Sequence, residues 1–511
     1  MTAKRIAVLM IAASFLAISA AAYAEMAPLP RAKDYLTPEV VSPIILRAGT
    51  IPDDYMFPND WVKRQDWEAI RKKYAGTKLT IMFEGTDIGA PLMTKDQFER
   101  MTGMKLNFVG VPIAVQFEKL LISFATGGAA FDIATVVTPN MPVFVKFLEP
   151  LDEYIRKWDY DFDDYFTQFQ SLMTDTPLVP GGKVYGLPND YDQHYWHCRK
   201  KFLDQIGVDR PPKTYDEVLD YCAKLKAILP SGVFPTGFMM SRDFFTWESF
   251  WDFAAPFGAD YFKPGTWEPT LASPEAIKAA NFQRKMIEEG YTAPGSTSWD
   301  YARQLEAWND GKLAMCIQYP IQESYNPKMS KIADEERYHS PLPKGPGPKG
   351  RIAPHGTFTN VALCINKMSR VKDAAFIWTA FNTSTEVQYI YTVTGTGIDY
   401  GRKSIFANKV ANQFYPNAQA LYESVPYIYN DLQIAVGSEL LAIAIPAIHD
   451  VWTGKGTAEQ LLPKANDEMR AVMKKYGYLS AKPPTPAPKS FWSWILYPEY
   501  HSMKWVDGVG K

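Results

Sequence analysis

The chain has 511 residues, 47% of them hydrophobic and 22% charged, and its 54 basic residues nearly cancel 56 acidic ones to a net charge of -2. That is an ordinary globular composition with more material than one small core needs, so two or more lobes are expected. The near-neutral balance leaves no basic footprint for nucleic acid or an anionic membrane surface.

At the N-terminus, Lys4 and Arg5 precede an uncharged apolar stretch that ends in the small-x-small pattern Ala22-Tyr23-Ala24. This order predicts a cleavable secretory signal over residues 1–24 and a mature chain from Glu25 outside the cytoplasm. No cysteine follows the apolar run, so no lipid anchor is expected. No later stretch reaches the roughly 20 apolar residues of a membrane span. Cys198, Cys222, Cys316 and Cys364 form an even set that permits disulfides without choosing among pairings, and buried thiols suit them equally.

A Pro-rich stretch runs to about residue 60, and a helix is expected over 67–74. Apolar and β-branched content predicts a strand over 78–83 (KLTIMF), followed by Glu84-Gly85-Thr86-Asp87 and a helix containing Phe98. A strand over 105–111, a helix over 115–125 and a strand over 131–137 complete a βαβαβ order, whose parallel strands place ligand-binding loops at their carboxyl ends. Thr214 with Glu217 three residues later caps an amphipathic helix over 215–228, and Pro274 opens another over 273–289. Strands are expected over 312–318 and 359–365, separated by the Pro- and Gly-rich stretch 341–354, with a helix over 372–382. AKPPTPAP at 481–488 is a semi-rigid spacer before the aromatic tail FWSWILY.

The stretch 181–202, GGKVYGLPNDYDQHYWHCRKKF, gathers acids, aromatics, two histidines and a cysteine. Its Gly182-Lys183-Val184-Tyr185-Gly186-Leu187-Pro188 is one of five ordered motifs. The others are Pro211-Pro212-Lys213-Thr214-Tyr215-Asp216-Glu217, Asp310-Gly311-Lys312-Leu313-Ala314-Met315, Pro341-Leu342-Pro343-Lys344-Gly345 and Thr453-Gly454-Lys455. Each is weak alone; in this order, over 78–475, the set resembles the bacterial extracellular solute-binding proteins of the maltose-binding-protein type, the capture subunits of ABC importers.

The resemblance narrows the location to the periplasm and implies an α/β fold of two lobes with the ligand in the cleft between them, hinge closure on binding, and docking of the loaded form on a membrane permease. The expected division is a 25–77 extension, a first lobe from 78–188 plus 345–366, a second from 189–344 plus 367–480 with return segments to the first lobe as an alternative, and a 481–511 tail. Crossings are expected at 188–193, within 345–357 and at 365–369. A sugar or polyol entering a cleft needs hydrogen-bond partners for its hydroxyls and flat rings for its C–H faces. The family layout nominates Glu84 and Asp87 on the rim, a helix-terminal charge role being the alternative, and Thr138 with Asn140, for which turn chemistry around Pro139 is the alternative. It also nominates Asn189, Asp190 and Asp192 on the first crossing, and Asp243, Phe244 and Trp247 in the second lobe, where Trp251 reads as core. Gln318, Tyr319, His355, Thr357, Asp399 and Arg402 complete the set. Ile321 stands where the family carries a Trp, which tilts the expectation towards a small ligand.

An enzyme reading fares worse. His194, His197 and Cys198 lack a fourth zinc ligand at a recognisable spacing, and a Cys/His pair needs an orienting third group. There is no GxSxG elbow, P-loop or GxGxxG fingerprint. A secreted glycoside hydrolase remains the alternative, since an aromatic-rich chain offers many carboxylates, but nothing in the sequence puts two of them at working distance. The expectation is therefore a monomeric binding protein without metal or cofactor.

Overall fold

In the computed structural model, residues 57–511 are described apart from 58, 86, 127–129, 321–329, 333–336, 346–354, 394–396, 413, 414 and 416. The predicted signal, most of the extension, and Ile321 lie outside the described residues. Ten strands build two sheets. In chain order they are β1 (Lys78–Glu84), β2 (Lys105–Val111), β3 (Ile133–Val137), β4 (Leu187–Asp192), β5 (Tyr195–Arg199), β6 (Phe234–Gly237), β7 (Leu313–Gln318), β8 (Arg337–Ser340), β9 (His355–Ile365) and β10 (Ile428–Asn430). The first sheet runs β10-β9-β3-β1-β2 with β4 also on β9, and the second runs β6-β7-β5-β8. The β1–β2 and β1–β3 pairs are parallel, whereas β9 lies antiparallel to both β3 and β4.

Local chemistry accounts for much of this. Thr214 Oγ1 accepts the Glu217 amide at 3.2 Å to start the helix Tyr215–Ile228, and Ser273 Oγ accepts the Ala276 amide at 3.2 Å ahead of Pro274–Glu288. Two motif glycines are required by close approach. A Cβ on Gly186 would lie 2.8 Å from the Ala362 Cβ of β9, and one on Gly345 would lie 2.0 Å from the Pro256 carbonyl oxygen. Cys198, Cys222, Cys316 and Cys364 are all buried free thiols, which settles the open alternative in favour of packing.

The chain passes between the sheets at Gln193-His194, where β4 gives way to β5, and again between β8 and β9. The third passage differs from the expected 365–369. The helix Lys372–Asn382 stays on the first sheet, with Trp378 5.7 Å from Phe108 of β2 and Phe381 5.1 Å from Phe98. Only after β10, at 431–436, does the chain leave for helices Gly437–Trp452 and Ala458–Lys475, which pack on Phe244–Ala254 and Pro274–Glu288. The apolar face of Lys372–Asn382 reads the same on either lobe, which is why sequence pattern did not locate this passage. Residues 60–74 belong to the first lobe: Trp61 is fully buried and donates to the Trp158 carbonyl at 2.8 Å, and Asp60 accepts the Thr385 amide at 3.0 Å. No helix among the described residues is long and apolar enough to cross a membrane.

Candidate solute site between the lobes

The carboxyl ends of β1, β3 and β4 share the edge of the first sheet from which the Gln193-His194 passage leaves. Glu84 ends β1; its amide donates to Thr135 Oγ1 of β3 at 2.8 Å and its carboxylate accepts the Asp87 amide at 3.2 Å. Thr138, after β3, is buried and accepts the Asn360 amide at 3.3 Å, which holds β9 against this edge; Asn140 is half-buried on the same turn. On β4, Asp190 accepts the Tyr191 and Asp399 amides, both at 2.7 Å, and Tyr415 donates to Asp399 at 2.8 Å. One carboxylate oxygen each from Asp190, Asp192 and Asp399 lies within 4.8 Å of the others, a spacing that a cation or a set of hydroxyls would match. Burial raises the Asp192 carboxyl well above its ordinary range, and the neighbouring Asp190, Asp87 and Asp399 push it further. At such a pH-dependent group a proton, a cation or hydroxyl donors relieve the repulsion.

The second lobe answers with rings and acids. His194 is fully buried, and its Nδ1 lies 3.0 Å from both oxygens of Asp252. Burial alone would lower its pKa, but Asp252, then Glu248 and Asp431, carry it above the ordinary value. Tyr319, just after β7, donates to Glu248 at 2.6 Å, and its ring centroid is 4.4 Å from that of His194. Tyr319 also feels the charges of both Glu248 and Asp192, so it joins the two groups of acids. Behind them Trp247 stacks on Tyr261 at 5.1 Å, and Trp251 stacks on Tyr429 at 5.6 Å. Asp431, on the third passage, is pushed up to about 7 by burial, while its Oδ1 accepts the Leu432 amide at 2.6 Å.

Several nominated residues sit elsewhere or are already engaged. Arg402 is fully buried and structural: it donates to the Thr383 and Asp161 carbonyls, to Tyr160 at 2.6 Å and to Asp164 at 3.3 Å, leaving none of its three nitrogens for a solute. Asn189 turns towards the 372–393 helices, accepting from Asn382 at 2.7 Å. Asp243 is the exposed N-cap of Phe244–Ala254, accepting the Phe245 amide at 2.9 Å, and Phe244 beside it is half-buried. Gln318 spends its side chain on Gln304 and the Tyr319 amide. His355 and Thr357 enter β9 opposite Ile428 and Tyr429 of β10. Conversely, His194, weighed from sequence only as a metal ligand or catalytic partner, stands on the passage, and Glu248, Asp252 and Asp431 carry no nomination. Their signal was present in WESFWDF: two carboxylates one turn apart in an otherwise apolar helix, a pairing that burial does not tolerate without partners. His197, by contrast, is a core residue, packed against His339 with Nδ1 atoms 2.9 Å apart.

The model for bacterial extracellular solute-binding proteins matches residues 86–389. A binding protein of Brucella abortus is 24% identical over 423 residues, covering 78% of this chain and 97% of its own. Among solved structures, the maltose-bound MalE3 of T. maritima superposes with a TM-score of 0.70 at 21% identity, over 78% of this chain and 100% of that one. An ABC transporter solute-binding protein of Agrobacterium radiobacter K84 in complex with ribitol gives 0.68 at 16% identity, over 78% and 99%. The fold is therefore the two-lobed α/β architecture of those proteins. Because the family match spans more than half of its length, this chain belongs to the bacterial extracellular solute-binding proteins.

Proposed function

We propose that this protein captures a sugar or sugar alcohol between its lobes in the periplasm, after removal of residues 1–24, and delivers it as a monomer to an ABC permease. The observation that carries this reading is Tyr319, which reaches Glu248 and His194 in one lobe while lying in the field of Asp192 from the other. A polyhydroxyl solute is both donor and acceptor, so it meets carboxylates that prefer a shared proton, and its C–H faces meet rings. The maltose and ribitol held by the two structural neighbours support the same ligand class. Asp87, Asp192 and Tyr319 are the proposed contacts; Trp247 and Trp251 are fully buried, Trp251 as the core residue the sequence suggested.

A thermal-shift panel of maltose, ribitol, mannitol and sugar phosphates tests this on the mature chain. A ligand that binds only the folded state adds about 2.7 kcal/mol at 100 times its dissociation constant. The expected result is a shift with the solute recovered intact, reduced at least about tenfold in affinity by Asp192→Asn. No shift with any neutral sugar or polyol of the panel, or hydrolysis of the bound sugar, would overturn the reading.

A further inference from the structure

The aromatic C-terminal segment, which the family resemblance leaves outside, runs across both lobes. It starts on the second: the Trp267 indole donates to the Thr485 carbonyl at 2.8 Å. At the third passage it meets the first sheet, because the Asn430 amide of β10 and the Asn430 side chain both donate to the Phe491 carbonyl at 2.8 Å. There Trp492 donates to Asp260 Oδ1 at 2.7 Å, and Tyr429 of β10 donates to the same oxygen at 3.3 Å. The Tyr429 hydroxyl in turn accepts the Tyr261 amide at 2.8 Å. One carboxylate thus ties the tail, the first sheet and the loop after Phe244–Ala254 together.

Beyond this point the tail packs on Phe166–Gln168 and on helix Ala418–Ser424, which itself touches β5 and β8 of the second sheet. Tyr500 is buried beside Phe166, and its hydroxyl accepts the Gln168 amide at 3.2 Å, while Thr167 donates to Glu499 at 3.0 Å. The terminal hairpin, Trp505–Val506 with Val509–Gly510, closes on Tyr422, which donates to the Lys511 carbonyl at 2.6 Å. Helix Ala418–Ser424, which carries Tyr422, lies just upstream of β10. Phe491 completes the contact by packing 5.0 Å from Tyr261 and 6.2 Å from Tyr429, the rings that back Trp247 and Trp251.

We propose that residues 485–511 form a strap across the third passage that restricts how far the lobes separate and holds Tyr261 and Tyr429 in place behind the solute. A segment anchored on both sides of a hinge must shear its contacts before the hinge opens, so the open state costs the Trp492–Asp260 and Asn430–Phe491 bonds. The opening part of the proposal stands on the passage geometry alone; its effect on affinity rests on the solute reading above.

The test uses the full mature chain with nitroxide labels on Asn107→Cys, exposed on β2, and Ala227→Cys, exposed on helix Tyr215–Ile228 of the other lobe. The four native thiols are buried and resist labelling. Pulsed electron-electron resonance on the solute-free protein is expected to give one narrow distance distribution, and the combined Trp492→Phe and Tyr500→Phe variant to add a longer-distance component. Tyr500→Phe removes only the hydroxyl, Trp492→Phe replaces the indole with a smaller ring that lacks the N–H donor, and Asp260→Asn alone is the second variant should the pair not fold. Superimposable distributions in a folded variant overturn the strap. For a solute found in the panel, the same variant is expected to release it about tenfold faster. Distances that respond while no polyol binds leave the strap standing and sink the sugar reading; a bound polyol with unresponsive distances does the reverse.

Discussion

Arg402 and Asp192 were nominated for the same task, and the protein buries charge around each in opposite ways. Arg402 sits in a knot where carbonyls, Asp164 and two tyrosine rings surround it, with Tyr165 4.1 Å and Tyr160 5.2 Å from the guanidinium. Burial alone would weaken its charge, yet those hydroxyls, Asp164 and Asp60 hold it more firmly charged than usual. Asp192 is half-buried at the interlobe passage, and the nearest charges acting on it are Asp190, Asp87 and Asp399, all of its own sign. A buried charge wrapped in complementary partners stabilises one conformation; a buried charge among like charges is a place where something from outside lowers the energy. The sharpest way to break the comparison is therefore Arg402→Met. It strands Asp164 and the Thr383 carbonyl, and urea denaturation is expected to show a loss of about 3–5 kcal/mol. A loss below about 1 kcal/mol would remove Arg402 from the structural side of the contrast.

Asp431 sharpens the other half. Its carboxyl is raised to about 7 in the folded state, against an ordinary value near 3.8, so the folded protein holds this proton more tightly than the unfolded chain does. The sign follows: its contribution is most favourable below the unfolded value and is lost as pH rises through the folded one. Between about pH 4 and pH 7 that amounts to a decline of up to about 4 kcal/mol at 1.36 kcal/mol per pKa unit, an upper bound for a buried group. Asp431→Asn is expected to flatten this portion of the stability–pH curve, measured by denaturant midpoints at fixed m-value. An unchanged slope would place the titration elsewhere.

The two lobes differ in how far their sequence exposed them. In the first, β1, β2 and β3 follow directly from apolar alternation and β-branched runs, whereas the acids after β1 and on β4 are nominated by the resemblance to the family. In the second, the site is built by Glu248 and Asp252 within a helix and by Asp431 on a passage 179 residues beyond Asp252 in the sequence, as 431 less 252 gives. Periodicity assigns a helix face without saying what it faces, so these acids become a site only once β10 brings Asp431 beside them. Asp243 was the more visible acid of the same stretch, yet its Phe245 amide contact shows why visibility misled: an acid at a helix start is explained by capping. The tail was legible as aromatic and opaque in purpose, because the partners of Trp492 and Tyr500, at Asp260 and Gln168, are more than 200 residues away.

The smallest effect separates His194 from His197, three positions apart on the same passage and strand. His197 has its Nε2 2.9 Å from the Tyr319 carbonyl, and burial lowers its pKa to about 3, with no carboxylate among the groups that act on it. His194 keeps Asp252 at 3.0 Å and is raised instead. His194 therefore adds stability that is fully present below the unfolded value near 6.5 and is lost as pH rises through the folded value, whereas His197 stays neutral down to about pH 3. NMR titration of the imidazole protons in uniformly labelled protein is expected to show His194 protonated above pH 6.5, and His197 unshifted between pH 8 and 4 together with its neighbour His339. Asp252→Asn is expected to abolish the first behaviour and leave the second untouched. If both rings titrate together, the acid pair of the Phe244–Ala254 helix does not govern the passage, and the polar half of the proposed site loses its anchor.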